Sequence, residues 1–122
     1  RRRRIIFLME RTNIKPSHWG PPAWTFLYSV FYSYPVYASS HDKVWMTTFL
    51  NVLGEALPCA KCRENYNIFR RMFPVDDRHV AGQQQVLEWI GAYREWFEGR
   101  SRSNAAEAPG RDDVCRGGVC GT

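Results

Sequence analysis

The 122-residue sequence has no apolar run long enough to cross a membrane and no stretch that alternates apolar and polar residues as a strand does. A glycine-rich phosphate loop and a recognisable Ser, His and Asp set are also missing. We therefore expect neither membrane insertion nor a sheet, and the common nucleotide-binding and hydrolase motifs are excluded. A chain of this length encloses one core, which predicts a single domain.

Excess charge is scarce outside the N-terminus, and an export signal is lacking. The net charge is +5, and residues 1–15 hold six basic residues, four of them arginines at residues 1–4, against one acidic residue. The rest of the chain is balanced, so nucleic-acid binding is only a minor alternative. The five apolar residues at positions 5–9 are too few for a signal peptide, which predicts a cytoplasmic protein. For a viral chain this means the host cytoplasm or the virion.

Apolar residues recur at helical spacing in four segments, which predicts an all-α four-helix bundle. We expect a turn over residues 16–22 and helices over residues 23–34, from Ser39 or Ser40 to Pro58, from the cysteine pair at Cys59 to Pro74, and beyond Gly82. The expected core stripes are Trp24, Leu27, Phe31 and Tyr34; Trp45, Phe49, Val52 and Ala56; Cys62, Tyr66, Phe69 and Phe73; and Val86, Ile90, Tyr93 and Phe97.

Composition divides the chain into three parts. We predict a basic arm over residues 1–15, a helical domain over residues 16–98 and a flexible tail over residues 99–122, where apolar residues become scarce. The three histidines have no spacing typical of metal ligands, so no metal site is predicted.

Four cysteines occur as two close pairs, Cys59 with Cys62 and Cys115 with Cys120. Disulfides across such short loops stabilise little, so redox or metal chemistry explains the pairs better. Zinc bound by both pairs is an alternative, but the glycines of a zinc knuckle are missing. At a helix start, backbone N–H groups and the helix dipole favour the thiolate of Cys59. Lys61 and the arginine after Cys62 add positive charge, and Cys62 is spaced to resolve a mixed disulfide.

Two motifs at a fixed separation resemble the Erv/Alr sulfhydryl oxidases. Residues 18–27 read His-Trp-Gly-Pro-Pro-Ala-Trp-Thr-Phe-Leu, and residues 57–63 read Leu-Pro-Cys-Ala-Lys-Cys-Arg. The first motif is most similar to members encoded by large DNA viruses, and the resemblance covers about residues 17–97. It implies a helical bundle, usually a homodimer, that holds FAD beside the Cys-x-x-Cys pair and oxidises protein thiols. It also implies that Cys115 and Cys120 form a shuttle disulfide.

This chain differs from the family at the motifs that bind flavin. The family's Leu-His is here Leu27 and Tyr28, and its His-Asn-x-Val-Asn signature is missing after Trp89. Both departures favour a flavin-free protein. The candidates to line a flavin pocket are Trp24, Tyr28, Tyr32 and Trp89, and the alternative use of these rings is the aromatic core of a bundle.

The sequence therefore predicts a thiol oxidoreductase, similar to a sulfhydryl oxidase, that forms or transfers disulfides through Cys59 and Cys62. Protein thiols and disulfides are the expected partners. The alternative keeps the fold without the enzyme: a degenerate dimeric interaction or assembly module in which the disulfide is structural.

Overall fold

Residues 11–107 are described by the computed structural model, with side chains to residue 102. All regular secondary structure in this part of the chain is helical, and it contains no strand. Its helices are α1 (Pro16–Tyr32), α2 (Ser40–Ala56), α3 (Ala60–Met72), a 3-10 helix (Asp77–Val80) and α4 (Gln83–Glu107). The predicted all-α fold with four packed helices is confirmed. Within the described range, none of these helices combines the length and apolarity that a bilayer span requires.

The first helix begins earlier than its sequence suggests. The turn predicted over residues 16–22 is wrong, because α1 starts at Pro16 and runs through Pro21 and Pro22. Proline suits the first helical position, where its missing N–H has no partner to lose. A side-chain contact with the preceding segment accompanies the extra turn: Trp19 Nε1 donates to the Ile14 carbonyl at 2.8 Å.

The start of α2 follows the prediction, but its buried face does not. Ser39 caps the helix through a capping box with Asp42. Of the predicted stripe, Trp45 and Val52 are 36% and 52% exposed, whereas Met46 is fully buried. Two apolar faces compete on this helix, and close contact with α3 selects the one that carries the buried residues Met46, Leu50 and Gly54.

The third and fourth helices bury most of their predicted stripes. Cys62, Tyr66 and Phe69 of α3 are buried, and so are Val86, Ile90 and Tyr93 of α4, but Phe73 is 52% exposed. Helix α4 also continues past Gly99, where the composition changes. An ion pair between Arg94 and Glu98 (3.2 Å) and stacking of Arg100 on Trp96 (5.1 Å) support this extension.

A short 3-10 helix replaces the predicted polar loop between α3 and α4. Asp76 caps it, and Val80 at its end is buried and accepts a hydrogen bond from the Tyr34 hydroxyl at 2.8 Å. Gly82 follows, where a Cβ would lie 1.9 Å from the Val36 carbonyl oxygen. Only glycine therefore allows the loop before α2 to approach α4 this closely.

Tyr66 joins three of the helices at the centre of the core. Its side chain is fully buried, and its hydroxyl donates to the Leu50 carbonyl of α2 at 2.5 Å. Its ring meets Trp89 and Tyr93 of α4 edge to face, at centroid distances of 6.1 and 5.1 Å. These contacts hold α2, α3 and α4 together one turn of helix beyond the cysteine pair.

Candidate functional site

The cysteine pair lies at the turn between α2 and α3. Pro58 restricts Leu57 to an extended conformation, which ends α2 before the turn. Cys59 is the N-cap of α3, and its Sγ accepts a hydrogen bond from the Cys62 backbone N–H at 3.2 Å. The helix N-terminus thus supplies an N–H donor to the Cys59 sulfur, as predicted from the position of the pair.

Both cysteines are covered by protein. Cys59 is fully buried and Cys62 is 6% exposed, and Trp19 and Leu57 pack against them. Tyr93 of α4 faces Cys62: burial raises the pKa of the Tyr93 hydroxyl, and the nearby Cys62 sulfur raises it further. Contact between either sulfur and a molecule in solution therefore requires part of this cover to move.

A strap formed by residues 11–15 crosses the turn that carries the cysteines. The Ile14 N–H donates to the Pro58 carbonyl at 2.8 Å, and Asn13 Oδ1 accepts from the Ala60 N–H at 2.8 Å. The first of these bonds holds the turn from one side, and the second satisfies a backbone donor in the first turn of α3. The strap thus belongs structurally to the cysteine site.

Two arginines contact the carbonyl end of α2 beside the pair. Arg11, in the strap, donates to the carbonyl oxygens of Glu55, Ala56 and Leu57, the last two at 3.3 Å. Arg63, in α3, donates to the Leu57 carbonyl at 2.6 Å. Lys61, by contrast, is half-exposed and lies 3.8 Å from the Glu64 carboxylate.

An enclosed apolar slot lies next to Cys62. Its volume is about 90 Å³. The aromatic residues that line it are Trp19, Trp24, Tyr66, Tyr93 and Phe97. A slot of this size holds a few small groups but no multi-ring ligand, since sites for cofactors enclose about 300–1,000 Å³.

Three of the four predicted flavin candidates form a ladder along α1 in an adjacent open groove of about 800 Å³. The ring centroids of Trp24 and Tyr28 are 5.7 Å apart, and those of Tyr28 and Tyr32 are 6.2 Å apart. The guanidinium of Arg94 lies over the Trp24 ring at 4.7 Å and over the Tyr28 ring at 5.7 Å. A hydrogen bond with Tyr28 and the pairing with Glu98 raise the pKa of Arg94.

The fourth candidate, Trp89, does not join this ladder. It is 4% exposed in the core, where its Nε1 donates to the Phe73 carbonyl at 3.1 Å. Trp89 therefore has the alternative role predicted for it, as part of the aromatic core. Cys115 and Cys120 lie outside the described residues, and their shuttle role stays a prediction.

The residues present do not fit FAD in this arrangement. The slot beside Cys62 is too small for the three rings of a flavin. In the groove, the Arg94 guanidinium already occupies the faces of Trp24 and Tyr28, and it is paired with Glu98, whose carboxylate repels a diphosphate. Among the described residues, no group of three or more His, Cys, Asp and Glu side chains is arranged to hold a metal ion.

Comparison with known proteins finds one distant relative. No protein-family model matches the chain. Over 76 residues it is 33% identical to a probable FAD-linked sulfhydryl oxidase of Acanthamoeba polyphaga mimivirus, a match that covers 62% of this chain and 53% of that protein. The chain thus spans about half the length of the curated relative it matches. That relative is an Erv/Alr protein of a large DNA virus, so the similarity inferred from the two motifs is confirmed.

The sequence does not indicate a role for the strap residues Arg11 and Asn13. They lie more than forty positions before the groups they contact, and neither belongs to a recognisable motif. Arg94 lies after Trp89, in the segment where the family's flavin signature is missing. Its position four residues before Glu98 predicts a helical ion pair, but nothing in the sequence indicates that it stacks on α1.

Proposed function

We propose that this protein is a thiol oxidoreductase in which Cys59 and Cys62 alternate between a disulfide and two thiols. The observation that carries this proposal is the hydrogen bond from the Cys62 N–H to the Cys59 Sγ at the start of α3. That donor and the positive end of the helix stabilise negative charge on the Cys59 sulfur, which thiol exchange requires. The similarity to a sulfhydryl oxidase supports the same chemistry.

The exchange proceeds in two displacements. A substrate thiolate attacks the Cys59 sulfur of the oxidised pair, a substrate–Cys59 bond forms, and the Cys59–Cys62 bond breaks with Cys62 leaving as a thiolate that takes up a proton. The second substrate thiolate then attacks the substrate sulfur and releases Cys59, which is protonated in turn. Two electrons and two protons pass from the dithiol to the pair, and the substrate gains one disulfide.

Regeneration requires an oxidant of higher reduction potential. A disulfide on a partner protein serves by the reverse of the same displacements: its sulfurs accept the two electrons, and Cys59 and Cys62 close again. We propose that Cys115 and Cys120 relay between this pair and protein substrates. The homodimer, the viral source and the cytoplasmic location stay predictions from the sequence.

A single-turnover experiment tests the proposal. The double variant Cys115→Ser, Cys120→Ser is oxidised, mixed with a small dithiol in the absence of oxygen, and the protein thiols are counted. We expect two thiols per chain and one equivalent of oxidised dithiol. Adding Cys59→Ser should abolish the reaction, because no Cys59–Cys62 disulfide is then available.

Two results would contradict the proposal. One is substrate oxidation by the Cys59→Ser variant at the rate of its parent. The other is a reduction potential below roughly −300 mV, which is typical of a structural disulfide and would favour the non-enzymatic interaction module.

A further inference from the structure

The turn that holds Cys59 receives two helix ends of opposite polarity. Helix α3 begins there, and its Cys62 N–H donates to the Cys59 sulfur. Helix α2 ends there, and the carbonyls of Glu55, Ala56 and Leu57 carry the negative end of its dipole. Without compensation, the carbonyl end of α2 opposes the negative charge that α3 favours on Cys59.

The compensation comes from the guanidinium groups of Arg11 and Arg63, described above. They converge on the Leu57 carbonyl, and Arg11 also serves the two carbonyls before it. Hydrogen bonds from a charged donor are stronger than those between neutral groups, so both residues hold the turn and neutralise its carbonyls together. This set of contacts is the guanidinium clamp.

We propose that Arg11 and Arg63 are positioning residues that tune the reactivity of Cys59 through the carbonyl end of α2. The inference rests on the proposed exchange at Cys59. Neither arginine is required to touch the substrate. Their positive charges offset the negative end of the α2 dipole. The positive end of α3 then dominates the electrostatic potential at the Cys59 sulfur and stabilises its thiolate.

Other ionisable groups around the pair are weaker sources of such an effect. Lys61 is paired with Glu64, and the Glu55 side chain is exposed. Lys15, in the strap, is half-buried but donates to none of these carbonyls. Tyr93 faces Cys62 from α4, and because burial raises the pKa of its hydroxyl it stays neutral at physiological pH. The clamp is therefore the charged feature to test.

The experiment compares Arg11→Met and Arg11→Lys with the control Arg71→Met, an exposed arginine at the far end of α3. All variants carry Cys115→Ser and Cys120→Ser. Alkylation of Cys59 in the reduced protein is followed against pH by peptide mapping, and the equilibrium of the pair with glutathione is measured. The control removes the same charge without touching the clamp.

We expect Arg11→Met to raise the pH midpoint of Cys59 alkylation by about 0.5–1 unit, which lowers the rate at neutral pH by about 3–10-fold. The pair should also become harder to reduce, since the thiolate is less stabilised. Arg11→Lys should fall between Met and the parent, because one ammonium group keeps the charge but reaches fewer carbonyls. Arg71→Met should match the parent.

A folded Arg11→Met with the midpoint and glutathione equilibrium of the parent would overturn the inference. If Arg11→Met does not fold, Arg11→Lys is the test. A purely structural role of Arg11 predicts the parent's midpoint of Cys59 alkylation for Arg11→Lys, whereas the proposed role predicts a higher one. Failure of the proposed function is distinguishable: the parent itself would then oxidise no dithiol, whatever the Arg11 variants do to alkylation.

Discussion

Replacing Tyr66 with phenylalanine tests whether the buried hydroxyl beside the site holds α2 and α3 together. The hydroxyl is fully buried and donates to the Leu50 carbonyl at 2.5 Å. Removing it deletes one hydrogen bond and leaves a small void, but the Leu50 carbonyl keeps its helical partner. We therefore expect Tyr66→Phe to lower the free energy of unfolding by about 1–2 kcal/mol.

Urea denaturation measures this change. With an m-value of about 2 kcal/mol/M, the midpoint should fall by roughly 0.5–1 M without a change in slope. The matched control is Tyr37→Phe, since Tyr37 is 90% exposed and should change stability by less than about 0.5 kcal/mol. Equal stability of the two variants would refute the argument, because the Tyr66 hydroxyl would then contribute no more than an exposed one.

The difference between the parent and Tyr66→Phe should also depend on pH. Burial raises the pKa of the Tyr66 hydroxyl above its usual value of 10.0, so the folded state holds this proton more tightly than the unfolded chain. The resulting stability is fully present below pH 10 and declines as the pH rises above it. We expect the stability of the parent to fall towards that of Tyr66→Phe in alkaline urea titrations.

Three further predictions concern the loop, an acidic cap and the groove. Gly82→Ala should destabilise the fold by about 1–3 kcal/mol, because the new Cβ would meet the Val36 carbonyl. The control Gly91→Ala has open space around it and should stabilise the fold by up to about 1 kcal/mol. Equal melting temperatures of the two variants would contradict this. The side-chain hydrogen bond from Arg78 lowers the pKa of Asp76 from 3.8 to about 2. The advantage of the parent over Asp76→Asn should therefore be present above pH 4 and vanish as the pH falls towards 2 in acid denaturation, and a constant difference would exclude this cause. The purified protein should be colourless after incubation with FAD; flavin absorption bands at about one FAD per chain would show that the slot and groove rearrange to admit it.

Local sequence patterns account for the helices and for most of their ends. The capping box at Ser39, the proline after Leu57 and the stripe through Tyr66 act through neighbours on the same helix or turn, so no tertiary information is needed. The position of Cys59 at the start of α3 follows from the same rules. These features lie within a few residues of the signals that predict them.

The phase of α2 and the start of α1 required the tertiary structure. Helix α2 has two apolar faces, and periodicity alone does not choose between Trp45 and Met46. The packed core buries Met46 and leaves Trp45 36% exposed. The low helix propensity of the prolines at the start of α1 predicts a turn, and it takes no account of the hydrogen bond from Trp19 to the Ile14 carbonyl. Core packing thus sets the buried face of α2, and a side-chain contact with the preceding segment accompanies the early start of α1.

The sequence by itself determined where the cysteine pair lies: at a helix start, in a chain of one core. Tertiary structure alone decided which distant groups surround that pair. Arg11 comes from a strap distant in sequence to the carbonyl end of α2, and Trp19 covers the sulfurs from α1. Arg94 stacks on Trp24 across two helices and occupies the groove that the aromatic ladder would otherwise open. Each is a contact between distant segments, so its existence depends on how the helices pack and not on any local pattern.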